Sequence, residues 1–182
     1  MRRVRTGSAR WLETGGGPLM LLAVLLAVSP AARCDWTLTS RSDLTRSGEV
    51  RVAYSRNDAG YTLEIYRDSD NAVRSRFTLP DGLLAFAGGT CPTYQIDRGT
   101  PINRSINAAP CLTNGSWSEL VLGYVSDNHI ASSSLLAVMN GINIVFRFKL
   151  DNGDYRSTQF SLQGSKHAMI EVFGENISIG PN

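Results

Sequence analysis

The sequence has 182 residues, of which 19% are charged and 8% aromatic, so we expect a domain with a packed core and exclude bulk disorder. The whole chain carries a formal charge of +2, but residues 1–34 hold five Arg and one Glu, which leaves the rest at −2. The basicity therefore belongs to the first segment, and the remainder lacks the charge pattern that binds nucleic acid.

The first 34 residues have the parts of a secretory signal peptide. A basic start precedes the uninterrupted apolar run Leu19–Val28, and small residues lead to Cys34. We predict cleavage near Cys34, which leaves residues 35–182 in the periplasm or secreted, with no membrane span because the apolar run is too short. A lipoprotein acylated at Cys34 is the alternative, although Arg33 stands where such sites normally have a small residue.

Cleavage after Cys34 would leave two cysteines, Cys91 and Cys111. An even pair in an oxidising compartment is most simply a disulfide. In the loop-entropy model, closing a loop of about 20 residues contributes roughly 3 kcal/mol. A metal pair or reactive thiols are the competing interpretation, but no histidine stands nearby in the sequence.

In the first half of the predicted domain, polar and apolar residues alternate, which is typical of strands with one buried face. We predict that Val50, Val52 and Tyr54 point inward from the second of these strands. The predicted strands cover residues 36–40, 49–55, 61–66 and 73–79.

Further along, two strands and two helices are predicted. The strands cover residues 93–97 and 117–125, and stretch 103–109 alternates weakly. A short helix over 132–140 can be capped by Ser132 or Ser133 and ended by Gly141. A final helix is predicted over 163–173.

The clearest alternation lies in the hairpin formed by residues 142–162. A two-residue turn at Asn152-Gly153 would put Phe146 opposite Gln159 and bury polar groups. A three-residue loop, residues 151–153, puts Ile144 opposite Phe160 and keeps the apolar faces together, so we predict this register. Ile142 is expected on the same buried face.

Short strands at roughly ten-residue spacing with polar turns predict one all-β domain over residues 35–182. We expect an antiparallel β-sandwich or a partly open barrel with one or two short helices.

Several stretches, taken in order, resemble the invasion-associated locus B family of bacterial exported proteins: Trp36–Leu38, Ile96–Pro101, Cys111, Leu135–Gly141, Ile144–Phe148 and Phe160–Gly164. The resemblance implies a small envelope-associated β-sandwich, and it supplies no catalytic motif. That family usually carries more cysteines, often a close pair where this chain has Cys111 alone. Its name comes from host-cell invasion in some pathogens.

No constellation in the sequence identifies catalysis. His129 and His167 stand in different elements without metal ligands at suitable spacing, so we expect no metal site and no cofactor. Ser132, Ser133 and Ser134 follow His129, but no nucleophile elbow is present, and helix capping explains them better. We predict that the protein is not an enzyme.

Five basic residues are expected on the outward faces of strands: Arg74, Arg76, Arg147, Lys149 and Arg156. They serve solubility by preventing strand-to-strand aggregation, or they form a patch for an acidic partner.

The leading hypothesis is an envelope protein that acts by contact with an envelope or host protein, with pairing at a strand edge as one mode of contact. The alternative is a small-molecule or glycan-binding domain with a pocket between the sheet and the last helix, lined by aromatics such as Trp117 and Phe173. The sequence leaves the oligomeric state open.

Overall fold

The computed structural model describes residues 35–42, 48–83, 85–102 and 111–181. The predicted signal peptide (residues 1–34) and the weakly alternating stretch 103–109 lie outside the described residues. In the described part, two open sheets pack on one apolar core with two short helices, so the predicted β-sandwich is confirmed. Neither of these helices is long and apolar enough to cross a bilayer.

In chain order, the elements are β1 (Trp36–Ser42), β2 (Glu49–Arg56), β3 (Thr62–Arg67), β4 (Ala72–Thr78), β5 (Thr93–Ile96), β6 (Cys111–Asn114), β7 (Trp117–Ser126), β8 (His129–Ala131), α1 (Ser133–Asn140), β9 (Asn143–Lys149), β10 (Tyr155–Ser161), α2 (Ser165–Phe173) and β11 (Ser178–Gly180). The short strands β6, β8 and β11 were not predicted, because three or four residues are too few to show alternation.

The larger sheet has the order β1-β2-β3-β4-β7-β8-β11, with β6 beside β7. Neighbouring strands in this sheet are antiparallel to one another, except that β8 and β11 run parallel. The smaller sheet has the order β10-β9-β5 and is antiparallel. β1 and β10 are therefore long strands at the edges of the two sheets.

The hairpin β9–β10 has the predicted register. Ile144 lies opposite Phe160, and Gly153 closes the three-residue loop with φ +91°, a conformation that favours glycine. The predicted position of Ile142 is wrong: it precedes β9 and its side chain is 72% exposed. Its backbone is nevertheless held at the end of the hairpin, because its carbonyl accepts a hydrogen bond from Leu162 N at 2.8 Å.

The predicted inward face of β2 is also wrong. Ala53 belongs to the core, whereas Val52 and Tyr54 lie on the opposite face, level with Tyr66 and Glu64 of β3. Helix α2 packs over β1, β2 and β3. Val52 is fully buried even on the outer face, beside buried Tyr66, so both faces of β2 bury apolar residues and the larger ones lie outside.

Helix α1 begins as predicted. Ser132 Oγ accepts a hydrogen bond from Leu135 N at 3.0 Å and donates one to the Leu122 carbonyl at 2.6 Å, so the cap is tied to β7. Gly141 follows the helix with φ −76°, so it needs no left-handed conformation. A Cβ at this position would lie 2.7 Å from Ile96 Cγ2, so close packing explains why the residue is a glycine.

The sulfur atoms of Cys91 and Cys111 lie 2.16 Å apart, at disulfide distance. This pair is the one that the cysteine count predicts. The bond joins the segment before β5 to the start of β6, so it connects the smaller sheet to the larger one.

Candidate functional site

The outer face of the larger sheet carries a network of charged groups centred on Glu119 of β7. The Glu119 carboxylate accepts hydrogen bonds from Arg74 at 3.0 Å, from Arg76 at 2.9 Å and from the Tyr66 hydroxyl at 2.5 Å. Strand register produces this arrangement, since Arg76 pairs with Glu119 across the β4–β7 ladder and Arg74 pairs with Tyr66 across β3–β4. We call Glu119, Arg74, Arg76, Tyr66 and Asp68 the ion network.

Asp68 completes the network and also shapes the β3–β4 turn. One of its carboxylate oxygens accepts backbone hydrogen bonds from Asp70 N at 2.9 Å and Ala72 N at 2.8 Å. The other oxygen accepts from Arg74 Nε at 2.5 Å. Burial lowers the pKa of Arg74, but the hydrogen bond and charge of Asp68, and then Glu119, outweigh it and raise the pKa overall. Arg74 is therefore held as a cation.

Two aromatic rings cover the network at its sides. The Arg41 guanidinium lies 4.0 Å from the Tyr66 ring centroid, and the Arg76 guanidinium lies 4.3 Å from that of Trp117. Both distances are within the range of cation–π attraction. Arg41 also lies 3.6 Å from Glu64, so the positive charges of this face have partners.

Burial, followed by the hydrogen bond and the charge of Glu119, raises the pKa of Tyr66 far above its usual value of 10.0. Between pH 10 and that raised pKa, the unfolded chain loses the phenolic proton while the folded chain keeps it, so the free energy of unfolding falls as pH rises. We expect the stability advantage of the native protein over Tyr66→Phe to be constant below about pH 9 and to shrink above about pH 10, by up to ~1.4 kcal/mol per pH unit. Urea denaturation of both proteins across this range measures the difference, and a constant difference would contradict the assignment.

The five basic residues predicted on outward faces do not form one patch. Arg74 and Arg76 lie on the outer face of their strand, as predicted, but Arg76 is buried and Arg74 half-buried within the ion network, so they do not offer the expected surface contact. Arg147 and Lys149 lie on β9 of the other sheet, Arg147 exposed and Lys149 half-buried beside the Tyr155 ring. Arg156 is exposed on β10 and pairs with Asp154 at 3.3 Å.

Sequence reasoning missed the acidic half of the ion network. The signal available was Arg74 and Arg76 two residues apart, which places both on one face of a strand. Their common acceptor, Glu119, is 43 residues beyond Arg76 in the chain, and strand order could not be deduced from the pattern.

The edge of β1 differs from the other long edge of the sandwich. On β10, the backbone carbonyls of Gln159 and Ser161 point away from β9. Each accepts a hydrogen bond from a side chain on or next to a strand of the larger sheet. Asn57 Nδ2 donates to the Gln159 carbonyl and Trp36 Nε1 donates to that of Ser161, each at 2.9 Å. These two hydrogen bonds engage the outward carbonyls in the last part of β10, where they compete with the addition of a further strand.

No comparable block covers β1 in the part of the chain that the structure describes. Its second edge pairs with no strand there, and Thr37, Leu38, Thr39 and Ser40 are exposed, Leu38 by 45%. Natural edges are usually protected by Lys, Pro, a bulge or a cover. The stretch Thr37–Ser40 contains neither Lys nor Pro, and its ladder with β2 runs without a bulge.

A groove of about 480 Å³ lies between the β5 end and the last turn of α1. Its wall includes apolar Ile96, Ile102 and Ala137 and polar Thr100 and Asn140. This volume falls within the range of small-molecule pockets.

Asp97 fixes the shape of the groove. It adopts φ +48°, and its carboxylate accepts hydrogen bonds from Ile142 N at 3.0 Å and Asn143 N at 2.8 Å. Its oxygens are thus committed to the backbone, so the groove offers a ligand mainly apolar contact.

The predicted aromatic pocket is not formed by its two named residues. Trp117 lies beside Arg76 on the outer face, whereas Phe173 of α2 is buried in the core.

The histidines are both exposed, on β8 and α2. His129 Nδ1 lies 2.8 Å from exposed Ser178 Oγ, whereas the hydroxyl of the capping Ser132 bonds Leu122 and Leu135. Among the described residues, no group of three or more His, Cys, Asp or Glu is placed to hold a metal ion.

Comparison with known proteins supports the fold. No protein-family model matches the sequence, and no curated protein matches it. The chain is similar in structure to invasion associated protein b from Bartonella henselae, with a TM-score of 0.50 and 16% sequence identity. The match covers 76% of this chain and 91% of that protein. The chain therefore has a fold like that of the Bartonella protein.

Proposed function

We propose that this chain is an exported bacterial envelope protein that acts without catalysis, by pairing the open edge of β1 with a strand of another protein. The compartment is the periplasm or the outside of the cell, after cleavage near Cys34. Different observations support the export of the protein and its contact with a partner.

Export is supported by three features that do not depend on one another. The first 34 residues have the organisation of a signal peptide. Cys91 and Cys111 lie at disulfide distance, which is typical of proteins in oxidising compartments. The fold is like that of a bacterial invasion associated protein.

The open edge of β1 is the observation that supports contact with another protein. A strand added there would continue an existing ladder and gain main-chain hydrogen bonds, while pockets between alternate side chains would give specificity. Arg41, the charged residue of β1, is already engaged by Glu64 and Tyr66, so it does not repel an incoming strand. On β10, by contrast, the side chains of Trp36 and Asn57 already engage two of the edge carbonyls, which supports β1 as the edge available for pairing.

We expect a photoreactive amino acid at Thr39 to cross-link the protein to a partner in the envelope of its own host, because Thr39 lies at the middle of the open edge. The same group at Ser157, an exposed residue of β10, is the matched control and should give no comparable adduct. Gel electrophoresis followed by mass spectrometry measures both products.

A Lys on the edge distinguishes strand pairing from simple proximity. Ser40→Lys should lower the Thr39 adduct by about tenfold or more, which corresponds to a loss of ~1.4 kcal/mol or more in binding. Equal adducts at Thr39 and Ser157, or an adduct that is insensitive to Ser40→Lys, would refute pairing at this edge.

The groove beside α1 favours a second candidate function, the binding of a small molecule or glycan. Its volume and apolar wall are the observation in its support. A small molecule that co-purifies with the protein in the cross-linking preparation, in the absence of a Thr39 adduct, would favour this candidate over strand pairing.

A further inference from the structure

The segment that forms the open edge of β1 is complementary to itself. Residues 35–41 read DWTLTSR, with an acidic residue at one end, a basic residue at the other end and Leu38 at the centre. Two copies of this segment that run antiparallel, with Leu38 opposite Leu38, set Asp35 of each copy opposite Arg41 of the other. Opposite charges in such positions stabilise a strand pair, and like charges destabilise it.

The backbone of β1 determines which groups face the open edge. Asn57 N donates to the Tyr61 carbonyl at 3.1 Å, so the main-chain groups of Asn57 point towards β3. Successive residues of a strand alternate in this direction, so those of Tyr54 point towards β1, where Tyr54 pairs with Thr37. Thr37 therefore bonds to β2, and the N–H and C=O of Leu38 face the open edge.

Only some registers between two β1 strands are compatible with this alternation. With Leu38 opposite Leu38, the two residues exchange a pair of hydrogen bonds through groups that both face the edge. A shift of one position sets Leu38 opposite a residue that bonds to β2, so the ladder cannot form. A shift of two positions in either direction keeps the hydrogen bonds but loses both pairs between Asp35 and Arg41.

The side chains at this edge have the exposure that the pairing requires. Leu38 is 45% exposed, and its two copies would cover each other on one face of the joined sheet. Thr37 and Thr39 are exposed, and on the other face they would lie opposite one another as a closely spaced pair. Asp35 is also exposed, and no ion pair engages it among the described residues.

We propose that the strand that pairs with β1 is β1 of a second copy of this chain, in a symmetric dimer centred on Leu38. The inference rests on the proposed function and names its partner. The pairing joins the larger sheets of two molecules into one continuous sheet. Because the same edge serves both copies, the dimer is closed.

Analytical ultracentrifugation of the exported protein, purified from its own host, tests the dimer. We expect a reversible dimer whose dissociation constant rises about tenfold or more for Leu38→Lys, because a lysine charge at the edge opposes pairing. Ile142→Lys is the matched control: Ile142 is an apolar residue outside β1, 72% exposed, and its substitution should leave the constant unchanged. A protein that stays monomeric at about 0.1 mM, or a dimer that is insensitive to Leu38→Lys, would overturn the proposal.

A pair of cysteine variants tests the register. In the dimer centred on Leu38, the Cα of Thr37 in one copy lies about 4.5 Å from that of Thr39 in the other, which is within disulfide range. An oxidised mixture of the Thr37→Cys and Thr39→Cys proteins should therefore form a disulfide-linked heterodimer, and neither variant alone should link to itself. A mixture without the heterodimer, or a link within Thr39→Cys alone, would overturn this register.

The photo-cross-link at Thr39 separates the failure of this inference from the failure of the proposed function. An adduct with twice the mass of the chain supports the dimer. An adduct with a different protein, from a chain that is monomeric when purified, overturns the dimer and leaves strand pairing at β1 intact. The absence of any adduct overturns both.

Discussion

Glu119→Gln is expected to destabilise the protein by about 3 to 5 kcal/mol, because it removes one charge from a buried, hydrogen-bonded network. Glu119 is 5% exposed and is the common acceptor for Arg74, Arg76 and Tyr66. The Gln amide replaces one carboxylate oxygen with an NH2 donor, so either Arg74 or Arg76 loses an acceptor and faces a donor in a largely buried region. Urea denaturation near neutral pH measures the loss.

Glu171→Gln is the matched control for this prediction. Glu171 lies 3.6 Å from Arg51, and both side chains are substantially exposed. Exposed ion pairs contribute about 0.2 to 1 kcal/mol, so this change should have a small effect. Equal losses for the two variants would show that the ion network contributes no more than a surface pair.

Phe77→Ala is expected to cost about 3 to 5 kcal/mol, the usual range for a large aromatic removed from a packed core. Phe77 lies on β4 of the larger sheet, and its ring contacts residues of the smaller one. The ring stacks on Phe146 of β9 at 4.5 Å between centroids and lies edge-on to Phe148 at 5.3 Å and to Phe160 of β10 at 6.2 Å. Truncation would leave a cavity at the centre of the sandwich.

The unfolding transition measured by tryptophan fluorescence or circular dichroism gives the size of this loss. Tyr155→Ala is the control, because Tyr155 is 80% exposed and its truncation opens no cavity. We expect the control to change stability by less than about 0.5 kcal/mol. A Phe77→Ala protein as stable as the control would mean that the two sheets are held together elsewhere.

The hairpin β9–β10 shows how much of the fold the sequence can determine. Only one register keeps Ile144 and Phe160 on the same face, and a slip of one residue would expose both. Local pattern and burial therefore agree, and the register follows. The same reasoning failed for β2, because it assumes that only one face of a strand is buried, whereas Ala53 on the core face and Val52 on the outer face are both 0% exposed.

The candidate sites depend on contacts between distant parts of the chain. Arg74 and Arg76 were recognised as basic residues of one strand, but their burial depends on Glu119, which β7 brings beside β4. The groove is likewise formed where the β5 end meets the last turn of α1. Strand order creates both features, and periodicity within a strand carries no information about strand order.

The side chains of Trp36 and Asn57 hydrogen-bond to the Ser161 and Gln159 carbonyls on the outer edge of β10, whereas β1 is the long edge left open in the described residues. A protein with one edge available for strand pairing forms an assembly that stops after a single pairing. Two such edges would allow unlimited head-to-tail polymerisation. If β1 pairs as proposed, the Trp36 indole N–H therefore favours an assembly of finite size.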